Sequence, residues 1–171
     1  SISQDYSNYH IIITDDCSTD GTGQAIENYI QENHLEHKVT LIRNKQRRGA
    51  LYNLYTMIHS CPNEAIIVTV DGDDWLADHE VLKRLNYYYS TYDIWLTYGQ
   101  FKEYPSGATG WCTPMPDYIV AKNAFREFHH IPSHLRTFYA WLFKVIKLED
   151  MLYFGEFYRM TWDYVMMLPM I

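Results

Sequence analysis

The sequence predicts an α/β fold, with a mostly parallel central sheet flanked by helices. Three observations carry that expectation. Short apolar runs alternate with stretches of helical periodicity, in the order β-α-β-α-β-α, over residues 10–89. Two of those runs stop abruptly at acids, Asp15-Asp16 and Asp71-Gly72-Asp73-Asp74, the place where open α/β sheets bind ligands. The chain has 171 residues, 47% hydrophobic and 20% charged, enough for one domain with a real core.

Residues 10–14 read as a short apolar strand. The Asp, Ser, Thr and Gly residues of 15–22 are loop and helix-capping chemistry, and a helix is expected over 23–33. Residues 39–43 form a second strand. A helix over 49–59 presents Leu51, Leu54, Tyr55 and Ile58 on one face, and Cys61-Pro62-Asn63 ends it. A third strand over 65–70 leads into the acids, and a helix follows over 79–89. After Tyr92 the pattern changes. Another strand is expected over 94–101, a loop with three prolines over 104–116, and a helix over 121–128. Residues 133–145 are apolar and aromatic, and 162–170 read as the start of a helix.

Several function classes are disfavoured. The net charge is −7 and the basic residues of 43–48 form the one local cluster, so no nucleic-acid partner is expected. Three cysteines without CxxC spacing favour neither a disulfide framework nor a zinc site. No apolar run approaches the ~20 residues of a membrane span. No signal peptide is visible, and a cytoplasmic location is the default.

The acids carry the chemistry. Three carboxylates within four residues repel unless a cation joins them, and Mg²⁺ or Mn²⁺ shared with phosphates would do so. The spacing and the missing distal Glu exclude an EF-hand loop. Asp15 and Asp16 sit at a strand end where carboxylates can accept hydrogen bonds from a base or ribose, or cap the next helix. Arg48-Gly49 opens a helix, a good place for an anion. Asp163 precedes a helical stretch, where dipole stabilisation is the plain explanation. His129, His130 and His134 are a weaker metal candidate, because Pro132 interrupts their helical presentation.

In order, these segments resemble the GT-A nucleotide-diphospho-sugar transferases, specifically the inverting family-2-like glycosyltransferases. Residues 11–22, IIITDDCSTDGT, are close to that family's strand-plus-acid signature. Residues 44–53, NKQRRGALYN, resemble its Asn/Gly segment, and VTVDGDDWL its DxD strand. TWDYVMMLP resembles the late acidic motif that carries the family's base. Residues 1–9 resemble the end of the family's first helix. The resemblance implies a single Rossmann-like GT-A domain over 1–171 that lacks the family's first strand. Its nucleotide half would run over about 1–92 and its acceptor half over about 93–171. It implies a hexosyltransferase-type enzyme.

The resemblance also assigns roles. Asp15 or Asp16 would bind the nucleobase, most often uracil, and Arg48 would contact the nucleotide. Asp71 would face the ribose, Asp73 would bind Mn²⁺ or Mg²⁺, and Asp74 would support that site or cap the next turn. Asp163 would take the proton of the acceptor hydroxyl. Trp111, His134, Arg136 and Trp141 would line a sugar cleft, or belong to the core. The expected partners are a nucleotide-sugar donor, probed first as a UDP-sugar, and a glycan, lipid-linked or protein acceptor. Membrane association is plausible for this family. A missing central strand would expose a sheet edge, lower the activity of the 171 residues alone and invite homo-oligomers.

Two competing readings remain. A DxD phosphohydrolase would want a small residue where Trp75 stands. A non-catalytic GT-A-like nucleotide- or sugar-binding module is the other.

Overall fold

A computed structural model of the chain describes residues 3–129 and 132–171. The expected alternation is present. β1 (Ile11–Asp15), α1 (Thr22–Glu32), β2 (Val39–Arg43), α2 (Ala50–Ser60), β3 (Ile66–Thr69) and α3 (Val81–Thr91) follow in order. Then come β4 (Leu96–Gly99), α4 (Asp117–Lys122), β5 (Ser133–Tyr139), α5 (Ala140–Lys144), a 3₁₀ turn (Leu148–Met151), the hairpin β6 (Leu152–Tyr153) and β7 (Glu156–Phe157), and α6 (Trp162–Met167). Among the described residues no helix is long and apolar enough to cross a membrane.

Apart from the β6–β7 hairpin, the strands form two sheets, β1-β2 and β3-β5-β4. β1 and β2 pair in parallel, from Ile11 opposite Val39 to Asp15 opposite Arg43. β5 lies between β3 and β4 and runs antiparallel to both, so β3 and β4 share one direction. The second ladder therefore reverses only at β5. Residues 133–145, read from sequence as one apolar stretch, divide into a strand and a short helix that turn at Tyr139-Ala140.

The core lies under β5. Leu51 and Ile58 of α2 pack with Phe138 of β5, Leu142 and Phe143 of α5, Met151, and Met166 and Met167 of α6. The apolar face expected for α2 is the face it buries, with Leu54 and Tyr55 at its margin. On the other side of β5, Thr137 is bonded to Tyr89 of α3 and Thr97 of β4, at 2.9 and 2.6 Å. Period-two alternation separates the two sets: Phe138 faces the core helices, Arg136 faces α6, and Thr137 faces α3.

Three expectations need correction. Residues 3–9 are not helical; Gln4 and Asp5 instead bond to Asp78 and His79 just before α3, and Tyr6 to Asn86 within it. The helix expected over 121–128 sits earlier, at Asp117–Lys122. Pro116 at its N-cap fixes the start, and Asn123 in the left-handed conformation (φ 51°) ends it. The strand expected over 94–101 is shorter, Leu96–Gly99, and its register shifts between Thr97 and Gly99.

Candidate active site

The acid loop follows the carboxyl end of β3, and β5 delivers a histidine to it. Thr69 pairs with Arg136, so the chain just before Arg136 passes the first residues after β3. There His134 Nε2 lies 3.1 Å from Asp71 Oδ2, and Nδ1 lies 3.8 Å from Asp74 Oδ2. Asp71, Asp74 and His134 each offer one ligand atom, and these atoms lie within 4.8 Å of one another. Asp73 is exposed beside this cluster and outside it. β4 reaches the same point closely. A Cβ on Gly99 would lie 2.8 Å from the Leu135 nitrogen and 3.1 Å from the His134 carbonyl oxygen, so only glycine fits there.

His134 Nε2 is under conflicting demands. Besides Asp71 Oδ2, which only accepts, it faces Arg136 Nη1, which only donates, at 3.1 Å. One ring nitrogen can answer only one of them in any protonation state. The donor set itself, two carboxylates and an imidazole with ligand atoms within 4.8 Å of one another, is what fits a divalent ion. The hydrogen bond from His134 holds the Asp71 carboxyl below the ordinary carboxylate range. Burial pushes it the other way, and the charges of His134 and Arg136 add to the lowering.

Arg136 connects this cluster to α6. It is 4% exposed, its Nη2 lies 3.5 Å from Asp163 Oδ2, and its guanidinium sits 5.5 Å from the centre of the Trp162 ring. Thus His134, Arg136, Asp71 and Asp163, expected separately from sequence, meet in one place. Sequence reading discounted His134 as a metal ligand because Pro132 spoils a helix. A strand needs no such continuity, and period two already put His134 and Arg136 on one face.

The carboxylates after β1 are tied into the protein. Asp15 is buried, accepts the Ser18 N–H at 3.0 Å and lies 3.8 Å from Arg43 Nε. Asp16 Oδ1 accepts from the Asn44 amide at 2.8 Å and the Arg48 N–H at 2.9 Å, and Oδ2 accepts the Gly49 N–H at 2.8 Å. Asn44 also donates to Asn53 at 2.8 Å. Burial pushes the Asp16 carboxyl up, but the bonds from Arg48, Asn44, Gly49 and Asn53 outweigh it and lower it to about 2. Gly49 adopts φ 90° just before α2, a left-handed backbone that favours glycine. The Asn44/Gly49/Asn53 spacing is therefore a clamp around Asp16. The Arg48 guanidinium stays exposed, 5.2 Å over the Tyr52 ring.

The aromatic candidates separate. Trp111 is 64% exposed and packs edge-on against Phe101. Trp141 packs on Trp95, and its backbone N–H donates to the Asn63 carbonyl before β3, at the opposite end of that strand from the acids. Sequence reading used Trp75 only against a phosphohydrolase and did not single out Tyr104. Trp75 directly follows Asp74, and its ring meets that of Tyr104 at 5.3 Å, joining the loop after β4 to the acid loop. The adjacency of Trp75 to the acids was the available signal.

A comparison with curated proteins finds no match. Among solved structures, the mannosyltransferase PcManGT from Pyrobaculum calidifontis, in complex with GDP-Man and Mn²⁺, aligns with a TM-score of 0.57 at 21% identity. The alignment covers 84% of this chain and 39% of that one, so the chain spans well under half the length of that relative. At this identity the likeness shows the fold, a GT-A fold. The model of Glycosyl transferase family 2 matches residues 1–149, a span that holds both acid loops and all of β5. A family match over most of the chain, on an α/β fold with its acids at strand ends, identifies the chain as a member of glycosyltransferase family 2.

Proposed function

We propose that this chain is the catalytic domain of a metal-dependent, inverting glycosyltransferase that moves a sugar from a nucleoside-diphosphate donor to an acceptor hydroxyl. One observation carries the reading. The acid cluster at the end of β3 and the carboxylate of Asp163 are drawn together around His134 and Arg136. A charged leaving group needs a cation on one side, and an incoming hydroxyl needs a base on the other.

Asp71, Asp74 and His134 would hold the divalent ion, with exposed Asp73 placed to join them. Two carboxylates and one imidazole suit Mn²⁺ better than Mg²⁺, which prefers oxygen alone. The ion, when bound, neutralises charge on the departing diphosphate. Asp163 takes the proton from the acceptor oxygen as that oxygen bonds to the anomeric carbon. The bond from that carbon to the phosphate oxygen breaks, and its electron pair leaves with the diphosphate. A single displacement inverts the configuration. The Asp16 clamp sets the loop that carries Arg48 toward the nucleotide. UDP is the first donor nucleotide to test, and GDP the second, since PcManGT holds GDP-Man.

Calorimetric titration of UDP and of GDP, with and without Mn²⁺, tests the reading on wild type, Asp71→Ala, Asp73→Ala and His134→Ala. Binding of one nucleotide that requires Mn²⁺ is expected in wild type. A weakening of about 10–100-fold is expected in Asp71→Ala and His134→Ala. Metal-independent binding that ignores both substitutions would overturn the metal assignment.

A further inference from the structure

Arg136 is a buried cation whose hydrogen bonding is incomplete. Its Nε is fully buried and has no hydrogen-bond partner among the described residues. Nη1 is spent on the contested His134 nitrogen, and Nη2 reaches Asp163 at 3.5 Å. A buried guanidinium is costly unless carboxylates surround it, so its place needs a reason. Packing does not supply one, because an apolar residue would continue the Phe138 side of β5 at lower cost.

The surroundings fix where the guanidinium points. Phe138, two residues on and fully buried, anchors the same face of β5. Trp162 covers the guanidinium at 5.5 Å, and Trp162 directly precedes Asp163. Two of its contacts, Nη2 to Asp163 and the ring of Trp162, thus lead to the start of α6. One, Nη1, leads to the metal cluster. An arginine held this way loses little freedom on each bond it makes.

We infer that Arg136 is a positioning residue for Asp163: it holds that carboxylate at a fixed place relative to the acid cluster, so that base and leaving group are aligned before the acceptor arrives. This rests on the reading of Asp163 as the base. The alternative use of a buried guanidinium, direct contact with the donor diphosphate, is what the test separates from it.

The test measures release of nucleoside diphosphate from UDP-glucose, UDP-N-acetylglucosamine and GDP-mannose with water as acceptor. It uses the full chain with Mn²⁺, as wild type, Arg136→Met, Arg136→Lys, Asp163→Asn and the Arg136→Met/Asp163→Asn double variant. Calorimetry of the released diphosphate runs beside it. Arg136→Met should lower kcat about 100–1,000-fold while donor KM and diphosphate affinity stay within about threefold. Arg136→Lys should lose less, about tenfold, and free guanidinium ion should restore part of the Arg136→Met loss. The double variant should be no slower than Asp163→Asn, since the two residues act as one unit.

Diphosphate affinity falling in step with kcat would overturn the inference and make Arg136 a donor ligand. Unchanged kcat in Arg136→Met, or losses that multiply in the double variant, would also overturn it. Absence of turnover in wild type would sink the transferase reading, and the inference with it. If Arg136→Met fails to fold, the Arg136→Lys loss at unchanged donor KM decides.

Discussion

The β1–β2 ladder and the β3–β5–β4 ladder are written in similar apolar residues, yet they bury them differently. In β1 the run Ile11-Ile12-Ile13 is only half-buried, and Asp15 is its one buried residue. In β2 only Val39 is buried. β5 buries Ser133, Arg136, Thr137 and Phe138. The core cluster takes its residues from β5 and the helices around it and none from β1. Local composition decides that a segment becomes a strand, but a partner far along the chain decides how deeply it is buried.

Substitution of the deepest residue should give the largest effect. Phe138→Ala, which empties a fully buried site stacked on Phe143, should cost about 3–5 kcal/mol in urea unfolding. A loss below about 1 kcal/mol would mean that β5 is not the keel of the fold. An intermediate effect is expected at the Asp16 clamp. Asp16→Asn sets an amide N–H₂ against an N–H and should cost about 1–2 kcal/mol near neutral pH. Its pH dependence has a definite sign. The folded carboxyl lies at about 2, below its ordinary 3.8, so its contribution is present above pH ~4 and fades as pH falls through about 2. Stability curves from pH 5 to pH 2 should therefore converge for wild type and Asp16→Asn. Curves that stay parallel would show that the charge on Asp16 is irrelevant. The smallest effect belongs to the first ladder. Ile13→Ala, at a half-buried position, should cost about 1–2 kcal/mol. A loss equal to that of Phe138→Ala would erase the contrast between the two ladders.

The same contrast marks what could be read from sequence. The order through α3 was legible because each element there declares itself locally: Ile-rich runs, a helical face at Leu51, Leu54, Tyr55 and Ile58, and acids at strand ends. The insertion of β5 between β3 and β4 was not legible, because nothing in 133–139 names a partner near residue 68. The site divides in the same way. Asp71 and Asp74 were visible as an acid cluster, but their link to His134 depends on that distant pairing. The Asp16 clamp was half visible: Asn44, Gly49 and Asn53 were noticed as a pattern, but the carboxylate they hold lies on another element. Trp75 and Tyr104 come from separate loops, and their contact required the fold.

The pairing of Thr69 with Arg136 has a consequence in time. The Thr69 hydroxyl donates to the Arg136 carbonyl across 67 residues of sequence. At about 5–20 residues per second, synthesis leaves several seconds between the acids and their basic partners. Over that interval β3 and β4 have no strand between them, and the Asp71–Asp74 carboxylates have no imidazole or guanidinium beside them. When β5 docks, it closes two strand edges and brings His134 and Arg136 to the acids in a single step. The centre of the site and the centre of the sheet are thus completed by the same late event, so a chain that has not finished folding carries the acids without the residues that organise them.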